Sequence, residues 1–138
     1  MTAYSDCLFC QIVAGDLPAN VVYEDDRTVA FLDINPSVRG HTLVVPRVHS
    51  TDLHDIDPED LAACVDTAKL VAGQAMQNLD ADGVNLLQNT GRVAGQAVFH
   101  FHVHVIPRYS GDGFRNPLSP MPGNREEIAA AAAALRGD

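Results

Sequence analysis

The sequence predicts a single domain of the α+β class, residues 1–138, built on a five-stranded antiparallel sheet. Runs of β-branched and aromatic residues follow one another closely, so most strands are joined by turns, as in a meander. One long helical pattern interrupts these runs near the middle of the chain, and capping residues mark a short helix near each end. The predicted core covers about residues 5–110, and a tail with its own helix covers 111–138.

The first half of the chain predicts one short helix and three strands. Asp6 is expected to cap a helix over residues 7–14, with Gly15 at its end. Residues 21–24 and 28–33 are rich in strand formers, and the acidic turn between them predicts a hairpin. A third strand is predicted over residues 41–46, because an Asn-Pro pair separates it from the second strand and Pro46 closes it.

The second half predicts the long helix, two strands and a terminal helix. Asp57 and Pro58 mark the start of the long helix, which is expected to end near Gly83. Strands are predicted over residues 84–89 and 99–107, and Asn124 with Glu127 forms a capping box for the terminal helix. The residues predicted to form the buried stripe of the long helix are Leu61, Val65, Ala68, Ala72, Ala75, Met76 and Leu79.

Composition excludes some classes of function. The chain is 46% hydrophobic and 20% charged, which is typical of a globular domain, and its net charge is −9. That acidic balance argues against sequence-independent nucleic-acid binding, which needs a basic face. No segment has the length of a membrane span and no signal pattern is present, so we expect a cytoplasmic protein with no membrane partner. The three cysteines are then expected as thiols or metal ligands.

The stretch over residues 99–107 carries the strongest functional pattern. His100, His102 and His104 alternate with apolar residues, so on a strand the three rings share one face. Neighbouring rings would lie about 6.6 Å apart and the outer two about 13 Å, whereas two nitrogens on one zinc ion are only about 3.4 Å apart. The row is therefore expected to divide between a metal or structural support and an anionic substrate. The residues expected to face the core are Phe99, Phe101, Val103 and Val105.

Cys7 and Cys10 form a C-x-x-C pair. The redox use of such a pair needs a βαβ context, which this chain lacks. A structural zinc site needs two more ligands, for which His49 and His100 are the best candidates. Two buried, inert cysteines are the alternative.

The loop over residues 91–96 precedes the histidines, and its glycines allow backbone N–H groups to approach an oxyanion. Asn89 and Gln96 add neutral donors for phosphate oxygens, and Asp33 would accept hydrogen bonds from sugar hydroxyls. Each feature also has a structural interpretation, since hairpin loops use glycine for geometry and aspartate caps turns. His54 and Cys64 are expected to be structural.

Together these motifs resemble the histidine triad family of nucleotidyl hydrolases and transferases. The resemblance rests on the alternating histidines of residues 100–105 and on segments 7–12, 31–34, 40–46, His49 and Gly95-Gln96, in the family's order. The C-x-x-C pair places the chain nearer to the nucleoside-phosphoramidase-like, bacterial zinc-containing branch than to the diadenosine polyphosphate hydrolases. His104 distinguishes it from the related galactose-1-phosphate uridylyltransferases, which carry glutamine there.

The resemblance implies roles for individual residues. His102 would be the nucleophile that attacks the α-phosphorus of a purine nucleotide, and His104 would bind the phosphate together with Asn89 and the Gln96 loop. Asp33 would hold the ribose hydroxyls. The residues implied for the base pocket are Phe9, Ile12 and Ile34.

The resemblance also implies a structural zinc ion, a homodimer and no catalytic divalent metal. The implied zinc ligands are Cys7, Cys10, His49 and His100. The sheet would continue across the dimer interface, and the long helix would take part in the contact. Ala97 departs from many members of the phosphoramidase branch, which carry a hydroxyl residue after the glutamine, so one phosphate or leaving-group contact is missing.

The expected activity is a double displacement at phosphorus on purine nucleoside phosphoramidates or related nucleotide conjugates. A nucleotidyl-histidine would form and water would release the nucleoside monophosphate, so one difficult step becomes two easier ones. Diadenosine polyphosphate hydrolysis is one alternative, and a nucleotide-binding regulatory protein with vestigial activity is another. A hydrolase that uses metal-bound water would need an open coordination position, which four protein ligands would close.

Overall fold

The computed structural model of the chain describes residues 6–116 and 121–138. The described part has the element order α-β-β-β-α-β-β-α, and the α+β class predicted from the sequence is confirmed. No helix of this part is both long and apolar enough to cross a lipid bilayer. The elements are α1 Leu8–Val13, β1 Val21–Glu24, β2 Thr28–Leu32, β3 Thr42–Pro46, α2 Pro58–Asn78, β4 Gly83–Leu87, β5 Val103–Arg108 and α3 Arg125–Arg136, with a 3₁₀ turn at Arg92–Ala94.

The five strands form one antiparallel sheet in the order β1-β2-β3-β5-β4. The first three strands make a meander, and β5 then inserts between β3 and β4. Because β5 pairs on both sides, the position of His104 is fixed twice, opposite Leu43 of β3 and opposite Leu87 of β4.

The sheet separates two apolar clusters. Helices α2 and α3 cover one face, where Leu32, Val44 and Val105 are buried. On the opposite face α1 covers a smaller cluster that includes Phe31 and Leu43. Directly paired residues of an antiparallel ladder share a face, so His104 lies on the α1 face with Leu43.

The cap of α1 differs from the prediction. Cys7, not Asp6, is the N-cap, and its Sγ accepts a hydrogen bond from the backbone N–H of Cys10 at 3.4 Å. The caps of the two longer helices are confirmed: Asp57 accepts from the Glu59 N–H, and Asn124 accepts from the Glu127 N–H.

The fifth strand is shorter than predicted. It begins at Val103, and residues 99–102 lie outside the sheet because the Phe101 N–H donates to the Ser50 carbonyl at 2.7 Å. Phe99 was expected in the core, but it is 40% exposed and stacks beneath the Arg92 guanidinium at 5.8 Å. The bounds of the second, third and fourth strands differ from the predicted ones by one or two residues.

The predicted stripe of α2 is partly wrong. Ala68, Ala75 and Leu79 are buried, but Val65 and Met76 are 47% and 46% exposed. Their places in the core are taken by Cys64, Thr67 and Val71.

The loop over residues 33–41 joins β2 to β3 and depends on Gly40. This residue has φ +86°, and a Cβ atom there would overlap the Leu79 side chain and approach Pro107 Cγ at 3.3 Å. The two ends of the loop are held together because the Asp33 N–H donates to the His41 carbonyl at 2.9 Å. Asp33 and His41 therefore enter the α1 side of the sheet next to each other.

Candidate active site and metal centre

Two groups of side chains gather at the end of the sheet near α1. The first contains Cys7, Cys10, His49 and His100, whose ligand atoms all lie within 4.8 Å of one another. The Nδ1 atom of His100 lies 3.4 Å from the Sγ atom of each cysteine, and His49 Nδ1 lies 3.3 Å from Cys10 Sγ. Three separate parts of the chain thus meet here: α1, the segment after β3 and the segment before β5.

The donor set fits a four-coordinate zinc ion. Bonds of 2.3 Å to sulfur and 2.1 Å to nitrogen place neighbouring S and N ligands about 3.6 Å apart, close to the observed spacings. The His100 Nε2–H donates to the Pro46 carbonyl at 2.9 Å, so Nδ1 presents a lone pair to the cluster. Partial burial and the hydrogen bond with Cys7 raise the pKa of Cys10 to about 12, so a thiolate at Cys10 needs a cation beside it.

The second group contains Asp33, His41 and His104, and backbone geometry decides where its protons lie. The Ser37 N–H donates to His41 Nδ1 at 2.9 Å, so His41 carries its proton on Nε2. This Nε2 lies 2.9 Å from His104 Nδ1, which therefore accepts. His104 keeps its own proton on Nε2, and Asp33 Oδ2 lies 3.6 Å from His41 Nε2.

His102 lies beside this relay with the opposite tautomer. Its Nδ1–H donates to the carbonyl oxygen of His100 at 2.8 Å, which leaves the Nε2 lone pair free. Its ring centroid is 5.1 Å from that of His104 and 5.2 Å from that of Phe9. A nucleophilic nitrogen and an N–H donor thus stand side by side.

Burial keeps these rings neutral. It lowers the pKa of His41 to about 4 and, with the neighbouring His102 and His41, the pKa of His104 to about 3. Burial also lowers the pKa of His102 below its usual value. At neutral pH His102 therefore has the form that attacks an electrophile.

Asp33, His41 and His104 also carry atoms that ligate metals. The 2.9 Å between the two ring nitrogens is shorter than the roughly 3.4 Å expected for two nitrogens on one tetrahedral ion. It is the length of a hydrogen bond. The geometry therefore favours a hydrogen-bonded relay in this group.

Residues 14–111 match the model of the HIT domain family. This chain belongs to that family. A Zn-bound histidine triad family protein from Mycobacterium smegmatis is similar in structure, with 40% identity, a TM-score of 0.85 and coverage of 95% of this chain and 91% of that one. A hypothetical histidine triad nucleotide-binding protein from Sulfolobus tokodaii has 37% identity, a TM-score of 0.84 and coverage of 95% and 90%. An adenylylsulfatase of Arabidopsis thaliana is 39% identical over 111 residues, 80% of this chain and 56% of the relative.

The HIT fold places the predicted phosphate loop beside the histidines. Gln96 is buried, and its side-chain amide donates to the carbonyls of Thr51 at 2.7 Å and Val98 at 3.2 Å. Its Oε1 accepts from the Gly91 N–H at 2.8 Å. These bonds shape the loop, and direct phosphate binding by Gln96 stays a prediction. Asn89 is buried two residues beyond β4, outside the paired residues of the β4–β5 ladder.

The predicted base-pocket residues have different environments. Phe9 is only 4% exposed and packs against His102 and Phe31, so it supports the His102 ring. Ile12 is half-buried on α1, and Ile34 is 66% exposed in the loop after β2. Ala97 is exposed directly after Gln96. The assignments of these residues to substrate contacts stay predictions.

Sequence reasoning missed His41 as a site residue. It is fully buried and donates to His104, so it belongs to the site as closely as the three alternating histidines. A signal was present, because His41 alternates with Leu43 at the start of a strand. It could not be used without knowing that β3 pairs with β5.

We expect the free energy of unfolding to fall as the pH is lowered from about 6.5 towards 4. The unfolded chain takes up a proton on His41 near pH 6.5, but the folded chain does so only near pH 4, so acid favours the unfolded state. His104 acts in the same direction. Urea unfolding of wild type and of His41→Asn at several pH values measures this.

The slope of unfolding free energy against pH should differ between wild type and His41→Asn, because the variant lacks one of the titrating groups. We expect the pH dependence of His41→Asn to be weaker by up to about 1.4 kcal/mol per pH unit. Both proteins keep the four residues of the cysteine cluster, so metal loss in acid affects both alike. Identical slopes would contradict the assignment of a neutral, buried His41.

Proposed function

We propose that this HIT protein hydrolyses purine nucleoside phosphoramidates, or related nucleotide conjugates, at the α-phosphate through a nucleotidyl-histidine intermediate. The observation that carries the proposal is the free Nε2 lone pair of His102 beside the Nε2–H of His104. The two tautomers follow from hydrogen bonds to backbone groups, directly for His102 and through His41 for His104.

In the first step His102 Nε2 attacks the α-phosphorus in line with the leaving group. The Nε2–P bond forms while the bond from phosphorus to the leaving amine breaks, and the amine leaves with the electron pair and a proton from solvent, which the attacking water of the second step returns to solvent. The His104 N–H donates to a non-bridging oxygen, where negative charge develops. The His100 carbonyl accepts the Nδ1–H of His102 and stabilises the positive charge that the ring acquires.

In the second step water attacks the same phosphorus. The Nε2–P bond breaks, the nucleoside monophosphate leaves and His102 returns to its neutral form with the proton still on Nδ1. Neither step uses a divalent metal ion. Because the reaction passes through a phosphoramidate bond to His102, one difficult step is replaced by two easier steps.

Substrate contacts complete the proposal. Asp33 accepts from the ribose hydroxyls, because its Oδ2 has no hydrogen bond within 3.5 Å among the described residues and the side chain is partly exposed. Ile12 and Ile34 offer apolar surface for a purine ring. The N–H groups of Gly91, Ala94, Gly95 and Gln96 donate within the 91–96 loop, so we assign the loop's phosphate contacts to the N–H groups of Arg92 and Val93.

The comparisons support attack at an adenylyl phosphorus. The Sulfolobus neighbour is named a nucleotide-binding protein, and the Arabidopsis relative is named an adenylylsulfatase. Adenylyl sulfate is therefore the second substrate to assay. Ala97 is exposed and carries no hydroxyl group, which agrees with a site that accepts more than one leaving group.

The nucleophile is tested by intact mass after brief mixing with an adenosine phosphoramidate. We expect a transient adenylyl adduct on wild type and none on His102→Ala. Turnover by the variant should fall by more than about a thousandfold, as for other lost nucleophiles. Binding of AMP, measured by calorimetry, should persist in the variant.

His54→Ala is the matched control, because His54 is exposed and lies outside both histidine groups. It should form the adduct as wild type does. An adduct or normal turnover in His102→Ala would rule out His102 as the nucleophile. Tight AMP binding by wild type without any turnover would instead identify a nucleotide-binding regulatory protein.

We further propose that Cys7, Cys10, His49 and His100 hold a structural zinc ion. Zinc bound there would tie α1 to the segments that carry His49 and His100. The donor spacings support this, and so does the Zn-bound Mycobacterium neighbour. Both cysteines lie before the segment that matches the family model, so the metal site depends on a part of the chain outside that match.

Metal analysis should find about one zinc per chain in wild type and little in Cys10→Ala. Chelation should lower the midpoint of thermal unfolding of wild type, because the ion binds only the folded chain. Cys64→Ala is the control, since Cys64 is a buried residue of α2 and lies outside the cysteine cluster. Equal zinc content in Cys10→Ala and Cys64→Ala would overturn the assignment.

We also propose a homodimer in which two copies of β4 pair. Strand β4 is an edge of the sheet and Leu86 on it is 50% exposed, whereas α3 packs against the other edge strand, β1. Met76 on α2 adds exposed apolar surface. An unpaired edge with apolar side chains favours strand pairing between chains.

Sedimentation velocity tests this assembly. We expect wild type to sediment as a dimer and Leu86→Lys as a monomer, because the added charges would face each other across the pair. Val93→Lys is the control, since Val93 is fully exposed on the 3₁₀ turn. A dimeric Leu86→Lys would place the interface elsewhere.

A further inference from the structure

The 33–41 loop carries two groups of the candidate site. Asp33 begins it and His41 ends it. His41 is fully buried and is anchored by the start of β3, by the Ser37 N–H and by His104. The first half of the loop, with Ile34 and Pro36, has no such anchor on the side of the active site.

The outer side of this loop is held by the chain that follows β5. Three donors from that chain bond three different carbonyl oxygens of the loop, each at 2.9 Å. The Tyr109 hydroxyl donates to Arg39, the Arg115 N–H to Ser37 and the Gly123 N–H to Ile34. We call residues 109–116 and 121–124 the outer segment.

A cavity of about 640 Å³ separates part of the loop from α3 and is bordered by Pro36, Arg39 and Ile128. Cavity walls lack partner atoms and so gain no dispersion energy there. The middle of the loop, between its two anchored ends, therefore depends on the outer segment for its position.

Gly123 makes the closest approach between the two segments. A Cβ atom added there would lie 2.6 Å from Pro36 Cδ, 2.8 Å from Pro36 Cγ and 3.2 Å from Ile128 Cδ1. The backbone of Gly123 is not left-handed, so alanine is excluded by contact and not by backbone strain. The proline ring is rigid and cannot rotate away.

We propose that the outer segment is a positioning element for the nucleoside side of the site, and that the Gly123–Pro36 contact sets how Ile34 and Asp33 are presented. A shift of this half of the loop alters the ribose and base contacts. It leaves the tautomer of His102 unchanged, because that depends on the His100 carbonyl. The consequence for substrate rests on the proposed function, whereas the mechanical support of the loop does not.

The test compares Gly123→Ala with Gly113→Ala. Gly113 lies in the same outer segment, but a Cβ there would meet nothing within 4 Å, so the two variants differ only in the contact. For Gly123→Ala we expect the KM for an adenosine phosphoramidate and the Kd for AMP to rise by about tenfold, with kcat within about twofold of wild type. Gly113→Ala should match wild type in all three.

A second change provides a rescue. Replacing the ring in Pro36→Ala/Gly123→Ala makes room for the added methyl group, so KM and the AMP Kd should return towards wild type. A general loss of stability would not be rescued in this way. Unchanged KM and Kd in Gly123→Ala, or a fall in kcat alone, would overturn the proposal.

Amide hydrogen exchange separates this proposal from the proposed function. If wild type neither binds AMP nor hydrolyses the substrate, the proposed function fails. The Asn35 N–H, which donates to Asp33 Oδ1 within the first half of the loop, should still exchange faster in Gly123→Ala than in Gly113→Ala, because the Gly123 contact holds this half of the loop. Equal exchange in the two variants would overturn the positioning role by itself.

Discussion

The hydrogen bond from His102 Nδ1 to the carbonyl oxygen of His100 is the interaction on which the candidate site depends. It places the lone pair of His102 on Nε2 and makes the ring's orientation a property of the backbone at His100. That backbone is fixed in turn by the ring of His100, which bonds the Pro46 carbonyl and faces the two cysteines. A metal in the cysteine cluster would thus act on the nucleophile through one residue, without approaching the substrate.

Hydrogen bonds to backbone groups fix the other rings of the site as well, and the positions of these groups in the fold explain why. The backbone groups that direct the protons belong to Pro46 at the end of β3, to Ser37 in the loop between β2 and β3, and to His100 three residues before β5. Ladder bonds stop at a strand end and are missing from the segments beyond it, so N–H and C=O groups there become available to side chains. Burying several imidazoles is costly unless their nitrogens are hydrogen bonded, and these backbone groups meet that need while keeping the rings neutral.

Much of this could be predicted from sequence, because the α+β class, the caps Asp57 and Asn124 and the four cluster residues follow from local pattern and ligand chemistry. The predictions that were wrong have physical causes. The alternation of residues 99–107 continues past the point where Phe101 leaves the sheet to bond Ser50, and no periodicity records that tertiary bond. Apolar residues occur on several sides of α2, so its buried face is decided by the sheet beneath it. Cys7 replaces Asp6 as a cap because the cluster, not intrinsic capping preference, fixes where α1 starts.

The two halves of the site are supported by different parts of the chain. The proposed nucleophile and its donor are held by central strands and by α1, where movement would disturb both apolar clusters. The nucleoside side is held by the 33–41 loop, which rests on backbone hydrogen bonds from the outer segment and borders a cavity. A change in the outer segment therefore reaches Asp33 and Ile34 while the tautomers of His102 and His104 stay as they are. This separation lets substrate preference vary in a chain whose reaction chemistry is fixed, because the residues that would select the nucleoside are not those that set the reacting nitrogen.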